Sequence, residues 1–145
     1  MNIRRLAATA ATLVLVLAAS AARAADEPPK PPDSQPAVAA MTTWLHVIDE
    51  GNYGKSWDDA SKLFQGALGR ERWIDTMNGG RKPLGDLVKR VLKSSTFRKA
   101  LPGAPDGEYF VIQFNASYSG KADAVETVTA VHEGADWKAA GYFIK

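Results

Sequence analysis

Asp106-Gly-Glu-Tyr-Phe-Val-Ile-Gln-Phe-Asn-Ala-Ser-Tyr118, Ala124-Val-Glu-Thr-Val-Thr-Ala-Val131 and Trp137-Lys-Ala-Ala-Gly-Tyr-Phe-Ile-Lys145 are three runs rich in β-branched and aromatic residues. Turn residues separate them: Ser119-Gly120 and Glu133-Gly134-Ala135-Asp136. Such spacing predicts an antiparallel meander with strands over 108–118, 122–132 and 137–144. In the first strand Phe110, Ile112, Phe114, Ala116 and Tyr118 alternate with Tyr109, Val111, Gln113 and Asn115, so one face is apolar and the other mixed. An apolar sheet face needs a cover, and the residues upstream supply helices for it.

Those helices follow from periodicity. Val38, Met41, Leu45 and Ile48, with Trp44 beside them, recur at spacings of three and four, which predicts a helix from near Ser34 to a stop at Gly51. Ser56 and Asp59 resemble a capping box for a second helix whose face carries Trp57, Ala60, Leu63, Phe64 and Leu68. A third helix is expected over 70–78, with Trp73, Ile74 and Met77 inward and Gly79-Gly80 as its breaker. Residues 86–99 are ambiguous. Leu87, Val88, Val91 and Leu92 have helical spacing, whereas Val88, Val91, Thr96 and the Ser-Ser-Thr run favour a strand. A fourth strand at this position completes the meander. Leu101 to Gly107, with two prolines and two glycines, is a loop.

The beginning of the chain reads differently. Met1-Asn-Ile-Arg-Arg5 is basic, the run Leu6 to Ala19 is uncharged and apolar, and Ala22-Arg-Ala24 is a small-x-small site, so residues 1–24 are expected to be a cleaved secretory signal peptide. The strongly apolar part, Leu13 to Ala19, is too short to span a bilayer core of about 30 Å, and no second long apolar run follows. Residues 25–36 hold five of the eight prolines and read as an extended linker, leaving 37–145 as a single domain. The expected location is the periplasm or the exterior.

Removing Arg4, Arg5 and Arg23 with the signal takes the 18 basic residues to 15 against 16 acids, a net charge of −1 with both histidines neutral. Net charge therefore gives no case for nucleic acid. Without cysteine there is no disulfide and no thiolate ligand. The two histidines, His46 and His132, have no sequence neighbour to orient them as bases, and no Gly-x-Ser-x-Gly elbow, phosphate loop or metal-ligand spacing is present. The residues indicate no catalytic set, cofactor or metal.

What is left is a candidate pocket or structural network. Trp44, Trp57 and Trp73 fall one per helix, which suits either an aromatic-lined pocket for a small apolar ligand or a core built from large residues. Glu126 lies mid-strand on a face with Val128 and Ala130. It is a carboxylate in a cavity, a structural ion pair with Arg81 or Arg90, or a solvent-facing group on the open face. Asp49 and Glu50 sit where the dipole of the first helix disfavours anions, a conflict that marks either a functional position or, more often, a solvated surface that tolerates it.

Several of these residues carry a resemblance. Trp44-Leu45 with Asp49 and Gly51, Tyr53 with Ser56-Trp57, Trp73, and Arg81 with Pro83-Leu84-Gly85 are similar to the domain of unknown function 4019 family of small exported bacterial proteins. So are Leu101-Pro-Gly103, Asp106 to Tyr109, Phe114, Glu126-Thr-Val128, and Trp137 with Gly141 to Lys145. The resemblance implies an exported single domain with no established activity, and it assigns no catalytic residue. The predicted order, helices then a curved four-stranded antiparallel sheet, is an α+β class similar to cystatin-like and nuclear-transport-factor-like cones. Within that frame Trp44, Tyr53, Trp57, Trp73, Arg81, Glu126 and Tyr142 are the candidate site residues. The leading expectation is a binding or accessory protein for a small apolar ligand or a periplasmic partner. The alternatives are an isomerase using Glu126 as base and Tyr142 as oxyanion donor, and a homodimer formed through the open sheet face.

Overall fold

The structure, a computed structural model, describes residues 28–145. The expected signal peptide lies outside the described residues. Pro31–Lys145 form one compact unit. In chain order it contains α1 (Gln35–Asp49), α2 (Tyr53–Asp58), α3 (Lys62–Ala67), α4 (Arg70–Gly80), a 3-10 turn at Lys82–Leu84, and strands β1 (Leu87–Arg98), β2 (Tyr109–Tyr118), β3 (Lys121–Glu133) and β4 (Asp136–Ile144).

The strands form one open antiparallel sheet in the order β1-β2-β3-β4, the predicted meander with the fourth strand at 87–98. The ambiguity at 86–99 thus resolves as strand. Its helical spacing arose because β1 is an edge strand with bulges near Val88 and Lys93, which break strict alternation. Val88, Val91 and Leu92 consequently stay exposed.

Alternation holds well in the middle strands. Phe110, Ile112, Phe114, Ala116 and Tyr118 of β2, and Ala124, Glu126, Val128 and Ala130 of β3, are all buried on the helix-covered face. Helices α1 and α3 pack on β4, and α1 also reaches β3. Ala37, Met41, Trp44, Leu45 and Ile48 form the buried stripe of α1, and they meet Ile112, Val128, Ala130 and Ala139 in a single core. The first helix ends as expected. Gly51 adopts φ +76°, its N–H bonds Ile48 O, and Asn52 N–H bonds Val47 O, closing a Schellman cap.

Two helix boundaries depart from the sequence reading. The expected second helix is two short ones, broken at 59–61. Ser56 is no N-cap: it lies inside α2, and its hydroxyl donates to Tyr53 O at 2.7 Å. The N-cap is Ser61, whose Oγ accepts from Phe64 N. The break has a tertiary cause, since Ser61 N–H donates to Ala139 O in β4 and Lys62 N–H to Glu133 Oε2. Backbone donors that a continuous helix would have used internally tie the helical layer to the sheet instead. At the other boundary Gly79-Gly80 does not break α4. The helix runs through them because Arg81 N–H still donates to Met77 O, and the stop falls on the proline-containing turn after it.

Candidate functional site

Glu126 points to the helix-covered face and is 0% exposed. The open-face placement is excluded. Its position follows from the register: in β3 it stands opposite Phe114 on one side and Ile144 on the other, in the same buried row as Val128. An ionised carboxylate there needs partners, because burial of an isolated charge costs many kcal/mol.

Its partners come from β1 and β4, and they connect onward to α1 and to the segment after α4. Arg90, from β1, donates through Nε to Glu126 Oε2 at 2.5 Å and through Nη2 to Glu126 Oε1 at 3.1 Å. The same guanidinium donates to both oxygens of Asp49, at 2.6 and 2.9 Å. Arg81, just after α4, reaches Asp49 Oδ1 at 3.1 Å and Gly85 O at 2.8 Å. Tyr142, from β4, donates to Glu126 Oε1 at 2.7 Å. The result is a chain Arg81–Asp49–Arg90–Glu126–Tyr142 in which two acids balance two bases. Arg90 is the hinge of the chain, since its planar fork can bond two carboxylates at once, as a lysine could not.

Local backbone geometry sets up the Arg81 end. Gly85 has φ +81° and ψ −159°, a conformation nearly confined to glycine, and a Cβ there would run into the Ser119 hydroxyl. This bend turns Gly85 O toward the guanidinium of Arg81. The Arg81 guanidinium also stacks over the Tyr118 ring, 4.3 Å from its centroid. Two polar atoms here are buried without a hydrogen bond, Arg81 Nε and Tyr118 Oη.

The electrostatics are those of a dry, matched cluster. Burial works against the charge on Arg90, yet its hydrogen bonds to Asp49 and Glu126 outweigh this and hold the guanidinium above its usual range. Burial, then the Glu126 charge, then Tyr118, push the Tyr142 hydroxyl far above its ordinary value of 10.0. Burial also raises Tyr118, with the Glu126 carboxylate adding to it, although its hydroxyl makes no well-formed bond to that carboxylate. Burial raises Tyr53 more weakly.

Beside the ionic chain lies an aromatic cluster. Trp44 stacks on Trp73 with centroids 6.2 Å apart, and Phe64 and Tyr142 meet both indoles edge to face. The indole nitrogens are anchored at one point of α2: Trp44 Nε1 donates to Ser56 O at 2.8 Å and Trp73 Nε1 to Ser56 Oγ at 2.9 Å. Tyr142 therefore belongs to both groups, its ring to the aromatic cluster and its hydroxyl to the ionic chain.

A cavity of about 430 Å3 opens next to this junction, lined by Trp73, Met77, Arg81, Tyr142, Phe143 and Ile144 among others. A hollow of about 700 Å3 lies on the open sheet face around Lys89, Asn115 and Val125, and it touches no member of the ionic chain. Among the described residues no cluster of three or more histidines or acids suits a metal ion, and no helix is long and apolar enough to cross a membrane.

Six of the seven candidate residues gather here: Trp44, Tyr53, Trp73, Arg81, Glu126 and Tyr142. Trp57 does not join them. It is half-buried, and its indole donates to Leu68 O at 2.7 Å, so it fastens α2 to the end of α3. Two further members, Asp49 and Tyr118, escaped the sequence reading. Asp49 had a visible signal, its unfavourable place at the C-terminal end of α1, but its compensating partners lie 32 and 41 residues away. Tyr118 had none beyond its place on the apolar face.

Over residues 39–142 the chain matches the family described as Protein of unknown function (DUF4019), and it belongs to that family. Compared with the curated proteins, it matches none.

Proposed function

We propose that this member of the DUF4019 family is an exported, non-catalytic binding protein whose ligand site is the cavity between α4 and β4. The carrying observation is the division of labour at Tyr142. Tyr142 lines the cavity, while its hydroxyl and both oxygens of Glu126 are committed to bonds within the ionic chain, and Glu126 itself lines none of the described cavities. A cavity of about 430 Å3 lies within the usual range for small-molecule sites, about 300–1,000 Å3. Trp73, Met77, Phe143 and Ile144 give it an apolar wall suited to a small apolar body.

Export rests on the basic start, the apolar run and the Ala22-Arg-Ala24 site. The sequence of the N-terminus tests it. A protein recovered from the periplasm beginning at Ala25 supports the reading, and one retaining Met1 in the cytoplasm overturns it. Binding is tested by melting the protein against a panel of small amphiphiles and metabolites. A rise in melting temperature with at least one of them is the expected result; no shift, with no partner protein co-purifying, removes the binding reading.

An isomerase has one observation in its favour, the 2.7 Å bond between Tyr142 and Glu126, which brings an acid and a phenol together. Against it, Glu126 lines none of the described cavities, and Arg90 takes both its oxygens. A general base has to reach the proton it abstracts. Turnover of a keto–enol substrate that disappears in Glu126→Gln, in a variant that still folds, would reverse this preference.

A further inference from the structure

The lining of the α4–β4 cavity is asymmetric in charge. Arg81, Lys121 and Lys145 all border it, and among the described residues no aspartate or glutamate does. In a chain with 18 basic and 16 acidic residues, three bases and no acid around one apolar cavity is a local departure from balance. Neither lysine makes an ion pair or a side-chain hydrogen bond among the described residues, in contrast to Lys55 and Lys138, which pair with Asp59 and Glu133. Asp49 already matches one of the three charges, that of Arg81. The lysine ammonium groups are nevertheless free to swing toward a ligand.

A second observation points the same way. Arg81 is only 4% exposed, lines the cavity, and spends two of its nitrogens on Gly85 O and Asp49, while its Nε–H has no acceptor. A buried donor without a partner is costly, and the guanidinium that carries it adds a fixed positive charge to the border of the cavity. The apolar lining comes from Trp73, Met77, Phe143 and Ile144, and the Trp73 indole N–H is already bonded to Ser56.

Building on the reading of this cavity as a ligand site, we propose that its ligand is an amphipathic carboxylate. The head group sits among Arg81, Lys121 and Lys145, and the aliphatic body lies along Trp73, Met77, Phe143 and Ile144. The recognition is of a free, single-chain acid and not of a membrane surface, because the lining bases border a concavity that one chain can fill.

The test is a titration of the protein, followed by tryptophan fluorescence and calorimetry, with decanoate, decanol and decyltrimethylammonium below their micelle concentrations, and with phosphatidylglycerol vesicles. Decanoate is expected to bind more tightly than decanol, and the cationic amphiphile not at all. Lys121→Ala and Lys145→Ala should each weaken decanoate by about two- to five-fold while leaving decanol unchanged, the scale of a solvent-exposed charge contact. Thr76→Trp, which fills the cavity from its rim, should abolish binding of both. If decanol binds as well as decanoate, or the lysine variants bind decanoate like the parent, the carboxylate proposal fails and the cavity stands as an apolar site. If no amphiphile binds the parent protein, the ligand-site reading fails with it. Binding to the vesicles without binding to monomeric decanoate also overturns the proposal, in favour of a membrane surface.

Discussion

Two arginines in this molecule each grip carboxylate oxygens with their forks, and their surroundings make them different devices. Arg70 bonds Asp58 at 2.9 and 3.2 Å on the surface, with both side chains about half exposed. Arg90 bonds Asp49 and Glu126 at similar distances, with all three side chains almost out of water. The hydrogen-bond geometry is nearly the same, and the consequence is not. Water can replace the Arg70 bonds when they break. Nothing can replace those of Arg90, so removing one partner leaves a stranded charge. The buried chain does not stabilise the fold by a large net amount, because desolvation offsets most of the attraction. It fixes which elements meet: α1 through Asp49, β1 through Arg90, β3 through Glu126 and β4 through Tyr142.

The contrast can be broken at its strong end first. Arg90→Met should cost about 3–5 kcal/mol in denaturant unfolding, through the uncompensated Glu126 carboxylate. Adding Glu126→Gln should recover part of that loss, a coupling of about 0.5–3 kcal/mol. If the two costs simply add, the pair is not the unit described here. Tyr142→Phe comes next. It keeps the ring among Trp44 and Trp73 but leaves Glu126 Oε1 with one donor fewer, which should cost about 1–3 kcal/mol.

The same tyrosine predicts a pH dependence. Its folded-state pKa is raised above the ordinary 10.0, so the folded protein holds this proton more tightly than the unfolded chain does. The contribution is complete below pH 10 and is lost as the pH rises above it. Urea midpoints should therefore fall above pH 10. Tyr142→Phe should show a shallower fall, with Tyr118 and Tyr53, raised in the same direction, supplying the rest. A variant as steep as the parent would show that Tyr142 is not the group responsible.

At the weak end, Arg70→Ala should leave the unfolding midpoint at 1 M salt unchanged, since screening there acts over about 3 Å. At low salt a small loss is expected, shrinking as the pH falls below 3.8. Asp58, held below its usual range by the Arg70 hydrogen bond, contributes in full above its unfolded pKa and loses that contribution as the pH falls through its lower folded pKa. A large effect from Arg70→Ala at high salt would erase the distinction between the two arginines.

What could be read from the sequence follows the same divide between local and distant causes. The sheet was legible because alternation is local: Phe110, Ile112 and Phe114 declare their face without reference to any other segment. So was Glu126 as the residue whose orientation mattered, and Arg90 and Arg81 as possible partners. The break between α2 and α3 was not legible, since Ser61 N–H is claimed by Ala139, 78 positions along the chain. Neither was the role of Asp49, which looks like a surface acid with poor helix electrostatics until Arg81 and Arg90 are placed beside it. Propensity and periodicity carry no information on a bond whose other half is set by tertiary packing.

The docking of α1 and α3 onto β4 has a consequence for how the chain acquires its structure. Three hairpins join consecutive strands, the first over residues 99–108 and the other two over the tight turns 119–120 and 134–135. The helices pack locally on one another, but the sheet they cover is distant in sequence. The α1 stripe of Met41, Leu45 and Ile48 is synthesised first and waits for β4, the last strand of the meander. Closing contacts of that sequence separation is slow, because loop entropy is spent before the contacts are gained. Until Ala139 and Tyr142 arrive, the sheet-facing stripe of α1 is without the strand it packs on most.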